Sequence, residues 1–260
     1  MPENESRDLY STLKSEYSQA FGGWDFSYIT KSGRMQEGLL TWNYPSIVIA
    51  ALPKARSLLD VGTGGGELLS LLHPLPTVAY ATEGYPPNVK AARRRLEPLG
   101  VKVVAAEEGG LLPFKSSVFD LVIDRHTGYS AKEVFRVLRN GGRFITQQVG
   151  SKTNRSLRRS LGIRDASPNI WNLKAAAREL KDAGFLIDEQ REEVTVTRFY
   201  DLGALVYYLK AIPWEVPNFS VEGYFEALQR LNQTVKRRGF IETQRHRCLI
   251  IAHRAAAQKV

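Results

Sequence analysis

The sequence predicts an α/β fold, a mostly parallel sheet with helices on both faces. Three observations carry that prediction. Between residues 45 and 150, short apolar strands alternate with helical segments. The first of these strands runs directly into a glycine-rich loop, Gly62-Thr63-Gly64-Gly65-Gly66. A helix-stop signal, Asn140-Gly141-Gly142, then separates a helical stretch from another apolar strand.

The elements follow in order. Leu9, Leu13, Tyr17 and Ala20 or Phe21 recur at helical spacing, Gly22-Gly23 breaks the pattern, and Trp24–Tyr44 is rich in aromatics. Residues 1–44 hold too few apolar positions for a core of their own, which predicts an N-terminal helical cap. Ser57–Val61 reads as the first strand, and Glu67–Leu72 as the opening of a helix. Val78–Thr82 is a second strand and Pro87–Leu96 a helix with proline at its start. Val101–Ala105 and Phe119–Asp124 are the third and fourth strands, Ala131–Leu138 a helix, and Arg143–Val149 the fifth strand. Further on come an amphipathic helix at Trp171–Ala183, a strand at Phe185–Arg198 and an apolar helix at Leu202–Lys210. A loop with Pro213, Trp214 and Pro217 precedes a helix from Val221 to about Arg237, and a last strand spans Arg245–Ala252. No repeat or low-complexity linker interrupts the chain. It therefore reads as one domain over residues 1–260: cap 1–44, core 45–150, and a C-terminal half 151–260 carrying a lid at 199–220.

Composition excludes several classes. Of 260 residues, 43% are hydrophobic and 24% charged, which is ordinary for a globular protein. No apolar run approaches the roughly 18 residues that span a membrane. The first eight residues are polar and mixed in charge, unlike a secretory signal or transit peptide. Cys248 is the sole cysteine, so an internal disulfide and a cysteine-built zinc site are not expected. A cytoplasmic setting is the simplest expectation, and no metal is expected. The net charge of +9 is uneven: residues 1–150 carry +2 and residues 151–260 carry +7. Such a basic half suits an anionic partner such as RNA, a nucleotide or an acidic metabolite, or serves as a solvated surface.

The strongest motif is Leu58-Leu59-Asp60-Val61-Gly62-Thr63-Gly64-Gly65-Gly66-Glu67. Glycines so placed let the backbone turn sharply and approach a ligand without a Cβ between. A dinucleotide fingerprint would need a third small residue where Glu67 stands. Asp60 would repel a pyrophosphate but attract the ammonium of a methionine moiety. The loop therefore favours a zwitterionic ligand with a cationic sulfonium. Glu83, 21 residues after Gly62, can accept from both ribose hydroxyls. An acid in Glu107-Glu108-Gly109-Gly110 can accept from an adenine amino group.

Four stretches, LLDVGTGGGE (58–67), ATEGY (81–85), EEGGLLPFKSSVFDLVIDRH (107–126) and VLRNGGRFI (137–145), together resemble the class I S-adenosylmethionine (SAM)-dependent methyltransferases. The likeness is to the type that includes small-molecule and quinone-biosynthesis enzymes. It implies a Rossmann-like sheet of seven strands in the order 3-2-1-4-5-7-6, the last antiparallel, with the lid inserted before the last strand. It implies SAM as cofactor. By position, Asp60, Gly62, Thr63, Gly64 and Gly66 would line its methionine end, and Glu83 would hold the ribose. Tyr85 and Glu108, with Gly109, would lie by the adenine; the family often has Asp where Glu108 stands. Asp124 and His126 would face the transferred methyl.

Methyl transfer from a sulfonium needs alignment and exclusion of water, and a base only if the nucleophile must lose a proton early. His126 is the best candidate base, with Asp124, Gln147 and Gln148 nearby; Gln147 and Gln148 must point to opposite faces of their strand. His73, His246 and His253 read as structural. Trp24, Tyr28, Trp42, Gln147, Tyr207 and Trp214 are candidate acceptor-lining residues from the cap, the fifth strand and the lid. The first expectation is a methyltransferase for a small organic molecule. An RNA methyltransferase is the alternative, supported by the basic cluster Lys152, Arg155, Arg158, Arg159 and Arg164. A non-catalytic SAM-binding protein is a third reading.

Overall fold

A computed structural model describes residues 3–22, 24–163 and 172–256. Trp171, Arg164 and Gly23, named above, lie outside the described residues. In chain order the helices are α1 (Glu3–Ser18), α2 (Ser27–Thr30), α3 (Tyr44–Ala51), α4 (Pro86–Leu96), α5 (Ala131–Val137), α6 (Arg155–Ser160), α7 (Leu173–Asp182), α8 (Leu202–Ala211) and α9 (Phe225–Arg238). The strands are β1 (Met35–Glu37), β2 (Ser57–Val61), β3 (Val78–Glu83), β4 (Val101–Ala105), β5 (Phe119–Arg125), β6 (Leu138–Val149), β7 (Phe185–Phe199) and β8 (Ile241–Arg254).

One sheet runs β1-β7-β8-β6-β5-β2-β3-β4. The five strands from β6 to β4 are parallel, while β8 is antiparallel to both β6 and β7. Counted from β2, the order is the expected 3-2-1-4-5-7-6. The eighth strand, β1, comes from the predicted cap and pairs antiparallel with the outer edge of β7, Gln36 opposite Arg198. A cap segment that would otherwise lie loose thus satisfies its backbone on an open sheet edge.

Burial follows from this order. All of β2 is buried, as a central parallel strand covered on both faces requires. One face packs Leu58, Ile123, Ile145 and Leu249 against α3 and α4. The other packs Leu59, Val122, Phe144 and Ile250 against α5 and α7. Side-chain caps start several helices: Asn43 accepts from Ser46 N–H, Asn172 from Ala175 N–H and Asp201 from Ala204 N–H.

Three expectations are corrected. The glycine loop does not lead into a helix; Leu69–Leu71 forms only a 3-10 turn. Pro74 explains the stop, because the residue before a proline avoids helical geometry and the ring supplies no N–H. α5 ends at Val137, and the chain enters β6 at Leu138, ahead of the Asn-Gly-Gly signal. α9 begins at Phe225, after a turn at the expected start Val221. The cap also does not rest on the sheet alone. Leu13, Ile29 and Met35 share a third core with Leu205, Val206, Val216 and Leu228 of the lid region. Cap and lid are therefore one layer.

Candidate functional site

The strand order reverses at β2, whose neighbours are β3 on one side and β5 on the other. Crevices outside the carboxyl ends of strands at such a switch point are where α/β sheets bind ligands. A cavity of about 350 Å³ opens there, within the usual range for small-ligand sites. Of the residues expected at a cofactor, Gly62, Glu83, Tyr85, Glu108 and Gly109 line it. Asp60, Thr63, Gly64, Gly66 and Asp124 do not. Leu112, Thr127 and Tyr129 also line it. Sequence reading missed them because they sit in irregular loops without periodicity.

Backbone geometry explains the glycines. Gly62 has φ +65°, and a Cβ there would meet Thr127 Oγ1 at 2.2 Å. Gly66 has φ +80°, with Leu96 Cγ 2.7 Å from where its Cβ would be. Both positions therefore demand glycine. The loop is pinned to β3: Thr63 N–H donates to Thr82 O (2.8 Å). Glu83 accepts from Gly64 N–H (2.8 Å) and Tyr85 N–H (2.9 Å), one on each carboxylate oxygen. It thus shapes the loop, and each oxygen keeps a further lone pair. Glu108 accepts from Gly128 N–H, and Gly109 N–H donates to Gly128 O (3.1 Å), which ties the loop after β4 to the loop after β5.

Two carboxyl groups are buried behind the loop. Burial pushes Asp60 up to about 7, and the charge of Glu83 acts in the same direction. Burial also holds Asp124 well above the usual carboxylate range, and Asp60 reinforces this. Thr146 Oγ1 (3.0 Å) and Gln148 Nε2 donate to Asp124 Oδ1. Asp124 Oδ2 and Tyr129 OH are buried with no hydrogen-bond partner among the described residues. A site with two unmet polar atoms and two destabilised carboxylates suits a cationic ligand that also carries polar groups.

Gln147 and Gln148 do point to opposite faces. Trp42 Nε1–H donates to Gln147 Oε1 (2.8 Å), and Gln147 Nε2 lies 3.1 Å from His126 Nε2. An indole N–H is only a donor, so it fixes the amide orientation; Gln147 then donates to His126 Nε2. The other ring nitrogen, Nδ1, carries the proton of the neutral imidazole. Loss of hydration holds His126 well below its ordinary pKa, helped by the charges of Arg247, Arg125 and Arg245. In this arrangement His126 is a neutral hydrogen-bond donor whose one lone pair is engaged, rather than a free base. Its φ of +67° is a conformation that non-glycine residues rarely adopt.

The six candidate acceptor residues separate into two groups. Trp24 stacks on Trp214 (5.7 Å between centroids, 11° between planes), and Tyr28 packs on Tyr207 (4.9 Å). Trp24 Cβ lies 3.8 Å from the Cβ position of Gly64, so this cap–lid junction adjoins the glycine loop. Tyr207 is buried in the shared core, whereas Trp214 is 64% exposed. Trp42 and Gln147 instead lie buried beneath His126. Among the other histidines, His73 Nε2 lies 2.9 Å from Ser70 O and His253 Nδ1 2.6 Å from Asp188. His246 takes Lys152 N–H on Nδ1 (3.2 Å) and lies 2.8 Å from Glu192 through Nε2. With Cys248 these form a Glu-His-Cys group that the sequence reading did not anticipate. No helix among the described residues is long and apolar enough to cross a membrane.

Comparison with known proteins bears on the fold around this site. A family profile described as a methyltransferase domain matches residues 59–146. No curated protein matches the chain. A putative methyltransferase from Bacillus halodurans C-125 has a similar structure, at 18% identity and TM-score 0.59, over 81% of this chain and 97% of that one. A putative sarcosine dimethylglycine methyltransferase from Galdieria sulphuraria matches at 14% identity and TM-score 0.52, over 81% and 83%. The [4+2]-cyclase SpnF matches at 15% identity and TM-score 0.53, over 97% and 96%. The profile spans β2 to β6, the strands that bear the glycine loop, Glu83 and Asp124, so residues 59–146 match a methyltransferase domain and the solved structures share its fold.

Proposed function

We propose that the chain binds SAM in the cavity at the ends of β2, β3 and β5 and methylates an O, N or C nucleophile of a small organic molecule. The observation that carries this is the pair Asp60 and Asp124, two fully buried carboxyl groups beside the glycine loop, both raised by burial, Asp124 further by the charge of Asp60. Such a pair is stabilised by a cation and destabilised by a phosphate. SAM supplies an electrophilic methyl on a sulfonium whose departure leaves a neutral thioether. Gly62 and Gly64 hold its backbone-facing end, Glu83 accepts from the ribose, and Glu108 flanks the adenine. The layer made by cap and lid keeps water from the methyl, with Trp24 over the loop. Asp124 and His126 orient groups at the transfer point.

A small acceptor is favoured over RNA by the shared cap–lid layer, whose Trp24 lies against Gly64 of the glycine loop. Within the basic cluster expected to hold RNA, Arg158 is committed to Glu215 (2.7 Å) and to Thr153 O. Arg164 lies outside the described residues. Filter binding of total RNA at low and high salt tests this point. We expect no salt-sensitive retention; tight retention at low salt that collapses at high salt would establish the RNA reading instead. Turnover of SAM with small-molecule extracts tests the activity itself.

Asp60 adds a pH prediction. Its folded pKa of about 7 lies above the unfolded value near 3.9, so the protonated form favours the folded state. That contribution is full below about pH 4 and is lost as pH rises through about 7. A cationic ligand needs the ionised form, so SAM affinity should rise up to about tenfold per unit as pH climbs to 7, then level off. Calorimetry in buffers of different ionisation enthalpy should show proton release near pH 6, absent in Asp60→Asn. A flat affinity between pH 6 and 8 in the unsubstituted protein would contradict it.

A further inference from the structure

Register places three arginines on one face of the sheet at its ligand-bearing end. Arg125 ends β5 and pairs with Gln147, which pairs with Leu249 of β8. Two and four residues before Leu249, Arg247 and Arg245 share its face. Both are buried, at 8% exposure each. The Nε atoms of Arg125, Arg245 and Arg247 are all buried with no hydrogen-bond partner among the described residues. Two carboxylates face the group: Glu37 of β1 lies 3.1 Å from Arg245 Nε and 3.6 Å from Arg247 Nη2, and Asp60, opposite Ile123 on the same face, attracts Arg125. Arg245 also donates to Gly38 O (3.2 Å), and Arg247 to His246 O (2.9 Å). Arg125 forms no ion pair with a described residue.

Three guanidiniums against Glu37 and Asp60, the latter raised to about 7 and so partly protonated, leave at least one positive charge uncompensated in a water-poor site. Such an arrangement is costly for stability alone, because buried charge without a partner is among the most destabilising features a fold can hold. The excess sits beside His126, the residue that follows Arg125 where the methyl acceptor is expected. Arginine forks match carboxylate and phosphate geometry. Their burial disfavours a polyanionic backbone as the partner.

We propose that the methyl acceptor is a small anion whose carboxylate or phosphate group is held by Arg125, Arg245 and Arg247. This rests on reading the chain as a small-molecule methyltransferase. Glu37, partly exposed, occupies the arginines in the absence of acceptor and swings aside when the anion binds. The arginines sit on two strands, β5 and β8, so the anionic group is fixed in direction as well as place. That alignment delivers the nucleophile of the same molecule toward the methyl.

The test is thermal scanning and calorimetry of the full chain with sodium acetate and sodium phosphate, against sodium chloride at matched ionic strength. Each is run with and without S-adenosylhomocysteine. At about ten times Kd, the bound anion should raise Tm by roughly 2–4 °C beyond chloride. A larger rise with acetate assigns a carboxylate acceptor, and a larger rise with phosphate a phosphorylated one. Arg125→Met should weaken the anion at least tenfold. Glu37→Gln should tighten the anion at least threefold by removing its competitor. Arg247→Lys, which keeps the charge but loses the fork, should weaken it as well. The proposal is overturned if neither anion exceeds chloride in both the unsubstituted protein and Glu37→Gln, or if the rise survives in both arginine variants. Anion binding without any response to S-adenosylhomocysteine or SAM would remove the methyltransferase reading and leave the anion site standing.

Discussion

Glu83→Ala should leave SAM binding unmeasurable by calorimetry, a loss of at least about 100-fold. The side chain would accept two charge-assisted hydrogen bonds from the ribose, each worth about 1.5–3 kcal/mol, and about 1.4 kcal/mol is a factor of ten. It also holds the loop, through Gly64 N–H and Tyr85 N–H. Removing it therefore unfastens the site as well as one contact. Glu83→Gln keeps the size and one acceptor, and should retain more affinity than alanine. Circular dichroism and Tm establish that both variants fold. An affinity for SAM within threefold of the unsubstituted protein in Glu83→Ala would sink the assignment of this cavity.

The largest stability change is expected at Phe144. Its side chain is fully buried, edge-on to Tyr129 (5.0 Å) and tilted on Phe185 (6.0 Å). Truncation to alanine loses the transfer energy of the ring and leaves a cavity, about 3–5 kcal/mol together. For a chain of this size that lowers Tm by on the order of 10 °C. Tyr129 lines the cofactor cavity, so loosening its neighbour should also weaken SAM. Phe144→Leu leaves a smaller void and should cost less. Urea unfolding of the two variants checks the order, and an alanine variant within about 1 kcal/mol of the starting protein would contradict it.

The core strands were legible because each is a short apolar run bounded by its own turn residues; their order was implied by the family resemblance. Ser57–Val61 and Val101–Ala105 were read to the residue. Asp60, the glycines and Glu83 were legible because a strand-end acid and a left-handed turn are both properties of adjacent residues. The helix after the glycines was misread because Pro74 acts a few residues beyond the segment that looked helical. β1 was invisible: three residues, Met35–Glu37, carry no strand pattern and gain their place only from the free edge of β7. Trp42 and Tyr207 were picked for an acceptor pocket because aromatic type alone does not separate core from surface, and the fold buries both.

Read by itself, the chain determined the α/β alternation, the glycine turn and the acids beside it, since backbone freedom and local charge are set by residues next to one another. Tertiary structure alone decided that cap and lid share one core, that Trp42 reaches His126 through Gln147, and that Arg125 meets Arg245 and Arg247. Those groups lie about a hundred residues apart or more. What brings them together is strand register, which no short stretch of sequence contains.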